Sequence, residues 1–160
     1  KVRSLWHACS SAEALLQTFI LGCLIMNEFR QSLAVIIGIN QYVNDIPPLE
    51  TPVNDAKELD EILRNKYQYK TLLLLNTDAT LSRLNNLLAA FTQQKVPLSD
   101  GSEVQVDQSD RLLFYFAGHG IAKDALDNAD GPAGFLIPQD GQRDDGWLSM
   151  QTLHDALVQL

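Results

Sequence analysis

His119 stands between Gly118 and Gly120, directly after the apolar run Arg111-Leu-Leu-Phe-Tyr-Phe-Ala117. An imidazole titrates near neutral pH and can serve as general base and then general acid. A glycine beside it leaves a bare backbone N–H that can approach a substrate closely and donate to a developing oxyanion. A base and an oxyanion donor side by side describe acyl-transfer chemistry whose nucleophile must come from elsewhere. The plainer alternative is a turn histidine whose ring is satisfied locally. Neither cysteine, Cys9 or Cys23, follows this strand, and His7 and His154 lie far from His119 in sequence.

The elements that would position these groups follow from hydrophobic periodicity. Six apolar residues without alternation predict that the third strand, Leu112–Phe116, is buried on both faces. In an open α/β sheet the carboxyl end of such a strand is where chemistry is placed. Leu33 to Asn40 predicts the first strand. A helix is expected over Asp55 to Asn65, with Ala56, Leu59, Ile62 and Leu63 inward and Asn54 or Asp55 as cap. Leu72–Leu75 predicts the second strand. Thr80 then caps a second helix with Leu81, Leu84, Leu87, Leu88 and Phe91 on its inner face.

Residues 95 to 110 read as a polar surface loop, and 134 to 138 as a short apolar extension forming half of a hairpin. Ser149 caps a last helix that presents Met150, Leu153, Ala156, Leu157 and Leu160; Trp147 packs at its start and His154 is exposed. Strands alternating with helices imply a mostly parallel sheet covered on both sides, a three-layer α/β/α sandwich. Three stretches should meet at the strand ends: Gly38 to Tyr42 leading into Asn54-Asp55, Ala117 to Gly120, and Ile137 to Asp140.

Composition narrows the functional classes. A chain of 160 residues with net charge −8 lacks the clustered cations that nucleic-acid phosphates require. No C-x-x-C pair occurs and the histidines are dispersed, which excludes a structural zinc pattern and favours a reducing, cytoplasmic setting. Leu15 to Met26, preceded by Lys1 and Arg3, is too short to span a bilayer, so no membrane partner is expected. It shares features with a signal-peptide core, but residues 1–30 read better as an extension outside a domain covering 31–160. A nucleotide-binding reading ranks low: no G-x-G-x-x-G follows strand one and no P-loop is present. A receiver domain would close strand three with an aspartate, where this chain has Ala117-Gly-His-Gly120.

Gly38-Ile-Asn40 closing the first strand, Asn54-Asp-Ala56 opening the first helix, Phe116-Ala-Gly-His-Gly120, and Pro138-Gln-Asp140 occur in that order. In this the chain resembles the amino-terminal, large-subunit part of the caspase and metacaspase superfamily of cysteine peptidases, over residues 33 to 160. The resemblance implies a caspase-like fold with its carboxyl-terminal strands past Leu160, and a peptide or protein substrate. It assigns His119 as base and acid of a Cys–His dyad and Gly120 as oxyanion donor. Asp55 and Ala117 would line the substrate pocket, with Asp55 favouring Arg or Lys before the scissile bond. The alternative for Asp55 is a helix-start residue favoured by the dipole.

Pro52 stands where metacaspases often carry cysteine, and Ala117 where serine is frequent. The nucleophile is expected on a strand beyond Leu160, so residues 1–160 alone should be inactive, with further domains following. A non-catalytic caspase-like interaction module is the competing reading. No cofactor is required. Asp124, Asp127, Asp130, Asp140, Asp144 and Asp145 offer oxygen ligands of the type calcium takes, but their spacing fits no EF-hand loop, and a solvated acidic loop is the favoured reading.

Overall fold

The computed structural model describes residues 29–123, 132–142 and 145–160. Its centre is a parallel sheet of β1 (Ser32–Gly38), β2 (Lys70–Leu75) and β5 (Arg111–Ala117), in the order β2-β1-β5. Gly38 at the end of β1 is in register with Leu75 on one side and Ala117 on the other, so all three carboxyl ends reach the same rim.

Alternate β1 residues feed two separate cores. Leu33, Val35, Ile37 and Ile39 join the inner faces of α2 (Leu81–Thr92) and α3 (Met150–Val158), among them Leu84, Leu87, Phe91 and Leu153. Ala34 and Ile36 face Ala56 and Leu63 of α1 (Pro52–Tyr67). Helices therefore cover both faces of a central, parallel sheet, the α/β/α sandwich expected of a caspase-like domain. Thr80 and Ser149 cap α2 and α3 by accepting from Arg83 and Thr152 N–H groups.

Several expectations need correction. The third strand is covered on both faces but incompletely. Leu112, Phe114 and Phe116 pack against one core and Leu113 and Tyr115 against the other. Residues 112–117 stay partly exposed where β5 pairs only with β1 among the described residues. β1 is the fully buried strand, with Leu33 through Ile37 inaccessible to solvent. Helix α1 starts at Pro52 after Thr51, not at Asp55, and Asn40 Oδ1 takes the Val53 N–H at 2.8 Å. Neither Asn54 nor Asp55 is the cap, since Pro52 at the first helical position and Asn40 from β1's end already satisfy that turn. Ile62 is 41% exposed, while Asp60 turns inward. There it accepts from Thr71 Oγ1 at 2.5 Å and from Arg64 Nη2 at 2.7 Å, which makes its burial tolerable.

Residues 95–110 are not a plain loop. They hold the hairpin of β3 (Lys95–Pro97) and β4 (Glu103–Gln105), and Val96 and Val106 enter the core. Past His119, β6 (Gly120–Lys123) pairs antiparallel with β7 (Ala133–Leu136), and β7 with β8 (Leu148–Ser149). The extension at 134–138 is thus half of a hairpin, as the sequence suggests. Residues 124–131, with Asp124, Asp127 and Asp130, and also Asp144, lie outside the described residues, as does the apolar stretch 15–26.

The base of the sheet is fastened by one carboxylate. Asp110 receives Arg30 Nε at 3.0 Å and Nη2 at 2.6 Å, Gln31 Nε2 at 3.1 Å and the Asp107 N–H at 3.0 Å. The Asp110 side chain is sealed from solvent while that of Arg30 is half exposed. The Arg30 hydrogen bonds, opposed by burial and assisted by Gln31 and the Asp107 N–H, hold the Asp110 carboxyl far below its ordinary value.

Candidate active site at the carboxyl rim

The rim is built from the loop after β1, the turn after β5 and the segment after β7. Asn40 organises the first of these: its N–H donates to Asn76 Oδ1 at 2.9 Å and its Nδ2 to the Glu50 carbonyl at 2.9 Å. The Asn40 carbonyl takes the Leu49 N–H at 2.8 Å. With the Val53 contact, one side chain and its backbone close the whole loop onto the start of α1. Gly38 makes that closure possible. A Cβ there would lie 2.6 Å from both the Ala56 Cβ and the Pro52 carbonyl oxygen.

The loop in turn holds His119. His119 Nε2 lies 2.8 Å from the Pro47 carbonyl oxygen. A carbonyl only accepts, so Nε2 carries the proton, and in the neutral ring Nδ1 is the free base. The His119 N–H donates to Tyr42 Oη at 2.7 Å, and the two rings lie 4.9 Å apart at a tilt of 54°.

Gly120 follows at the start of β6. The Ile137 N–H donates to the His119 carbonyl at 3.0 Å, and Gly120 is in register with Leu136. In antiparallel pairing, bonded and non-bonded positions alternate. His119/Ile137 is therefore the bonded position, and the Gly120 N–H points away from β7. Its residue is exposed.

The third stretch is present too, with a role not foreseen. Asp140 Oδ1 accepts the Leu81 N–H at 2.7 Å, capping α2 from a distance, and the Gln139 N–H donates to the Ala79 carbonyl at 2.9 Å. Val43 N–H to the Gln139 carbonyl at 3.1 Å then ties this segment to the loop carrying Pro47. The Pro-x-Asp signature thus supports the rim structurally. Asp145 Oδ1 is taken up by the Gly146 N–H. Among the described residues no group of three or more His, Cys, Asp or Glu could hold a metal ion.

Asp55 lies exposed on the first turn of α1, which rests on Gly38, the register partner of Ala117. It therefore shares the rim with His119, but no hydrogen bond or ion pair joins the two. The Ala117 carbonyl accepts the Ile39 N–H at 3.0 Å, so its backbone serves the sheet, and its side chain is half-buried. Residues 40–56 carry three carboxylates, Asp45, Glu50 and Asp55, and no lysine or arginine. Two clefts of about 540 and 390 Å³ lie elsewhere, along β2 and the loop at Leu98–Ser99. Sequence reasoning missed Tyr42 and the Pro47 carbonyl. The Tyr42 type was visible, but a backbone acceptor has no residue signature.

The family described as metacaspase, peptidase C14 domain, matches residues 33–160. The chain belongs to this family of cysteine-type endopeptidases. A crystal structure of protein GSU0716 from Geobacter sulfurreducens is similar in fold, with a TM-score of 0.56 and 15% identity. That similarity covers 81% of this chain and 46% of the other, so the metacaspase domain described here spans less than half of that neighbour's length. No curated protein sequence matches the chain. Among the described residues, no helix of this metacaspase domain is long and apolar enough to cross a membrane.

Proposed function

We propose that this metacaspase domain supplies the base, the oxyanion donor and the first specificity pocket of a cysteine endopeptidase that cleaves after Arg or Lys. The single observation that carries the reading is the bond from His119 Nε2–H to the Pro47 carbonyl. It leaves Nδ1 as the one basic nitrogen on a ring held from behind. In the proposed reaction Nδ1 takes the proton of a cysteine thiol, and the thiolate attacks the scissile carbonyl carbon. The Gly120 N–H donates to the resulting oxyanion, and the imidazolium returns its proton to the leaving amine. The thiol belongs to a further strand laid along the edge of β5 that is unpaired among the described residues, next to His119. The carboxylates of the loop and first helical turn favour a cationic side chain, and Asp55 makes the direct contact.

The test is hydrolysis of matched reporter peptides by the full-length protein. His119→Ala should lower turnover of an Arg reporter by about 10³-fold or more. Asp55→Ala should instead shrink the preference for Arg over a neutral residue while leaving cleavage itself in place. Turnover by His119→Ala equal to that of the wild type would end the catalytic assignment, and an unchanged preference in Asp55→Ala would remove Asp55 from the pocket.

A further inference from the structure

We infer that Tyr42 is a positioning residue for His119: its hydroxyl draws the His119 N–H out of the β6–β7 ladder and so sets the direction of the imidazole. This rests on the peptidase reading above and adds a residue to it. At the bonded position His119/Ile137, a regular antiparallel ladder would exchange two hydrogen bonds. Only one is made, from the Ile137 N–H to the His119 carbonyl. The other N–H goes to Tyr42 Oη at 2.7 Å. The backbone therefore leaves β7 at His119, just where the ring must turn toward Pro47.

A second observation points the same way. Gly118 is not among the glycines with left-handed backbone, which among the described residues are Gly101 and Gly146. Its lack of a side chain answers a need for space: a Cβ there would sit 2.5 Å from Tyr42 Oη and 3.0 Å from the Phe116 ring. The glycine before the histidine is thus the seat of the phenol. Burial pushes the Tyr42 phenol above its ordinary pKa against the pull of the His119 N–H, so the acceptor stays neutral. Tyr42 and Pro47 belong to one loop, so a single segment grips His119 twice, by its main chain and by its ring.

The experiment compares wild-type, Tyr42→Phe, Gly118→Ala and the double variant in the full-length protein, with His119→Ala as reference. Misplacement of a reacting group by about 1 Å costs on the order of 10²-fold, so Tyr42→Phe should lower kcat by about 10- to 100-fold with KM within about twofold. With the nucleophilic cysteine alkylated, so that the ring is neutral, imidazole ¹⁵N NMR should show the Nε2–H tautomer of His119 in the wild type and a mixture in Tyr42→Phe. Gly118→Ala should cost less when combined with Tyr42→Phe than in the wild type, since the nearest clashing atom is gone. Wild-type kcat and an unchanged tautomer in Tyr42→Phe would overturn the inference, as would fully additive losses in the double variant. If His119→Ala is inactive while Tyr42→Phe behaves as wild type, only the positioning role fails. If His119→Ala is active, the peptidase reading itself fails.

Discussion

β1 and β5 are neighbours in one sheet, read almost alike as apolar runs, and end up in different environments. β1 is paired on both sides and covered by helices on both faces, and no residue from Leu33 to Ile37 touches solvent. β5 has one partner among the described residues, and residues 112–117 each keep part of their surface. The difference separates two jobs. The end of β1 is a fixed point, locked through Asn40 to α1 and Asn76. The end of β5 carries the histidine, held by a few directed contacts. Among the described residues the first strand is the enclosed centre of the sheet, and His119 follows the strand that has one partner.

Leu33 and Leu112 are register partners, so the same substitution samples both environments. Leu33→Ala should lower the unfolding free energy by about 2–5 kcal/mol, as for a fully buried leucine. Leu112→Ala should cost less, about two-thirds to nine-tenths as much, in proportion to the surface it hides. Urea unfolding of the two variants checks this, and equal losses would mean that β5 is as enclosed as β1.

The fastening between the two strands gives a smaller, pH-dependent effect. Folding depresses the Asp110 carboxyl below its ordinary 3.8, so the unfolded chain binds the proton more tightly. The contribution is therefore complete above that ordinary value and is lost as the pH falls from about 4 toward the lower folded value. Thermal unfolding of Asp110→Asn should be lower than wild type at pH 7, and the two should converge toward pH 2. A gap that persists unchanged at low pH would show that the carboxylate's charge is not what fastens β1 to β5.

Much of this arrangement was legible in the sequence, for physical reasons that also mark its limits. Unbroken β-branched and leucine runs announced all three core strands, and hydroxyl caps announced α2 and α3. The Gly38, Asn54-Asp55 and Gly118–Gly120 stretches converge at one rim as their order implied. Periodicity could not say which strands have a single partner among the described residues, because burial on a face and pairing along an edge leave the same apolar pattern. Nor could it find β3 and β4, three residues each, where Pro97 interrupts the alternation. Ile62 is exposed where periodicity places it inward, and Asp60 is buried, because a carboxylate paired with Arg64 and Thr71 can occupy a helix's inner face. The groups that orient His119 were hidden for another reason. One is a backbone carbonyl, the other a tyrosine whose role depends on a contact across 77 residues.

The claim on which the account turns is that His119 controls the ionisation of a thiol through Nδ1. The pH dependence of cysteine alkylation by iodoacetamide measures this directly in the full-length protein, at the nucleophile and without a peptide substrate. With His119 in place, rapid alkylation should persist well below the ordinary thiol pKa of about 8.5. In His119→Ala the curve should move up to that value. Superimposable curves for the two proteins would contradict the account.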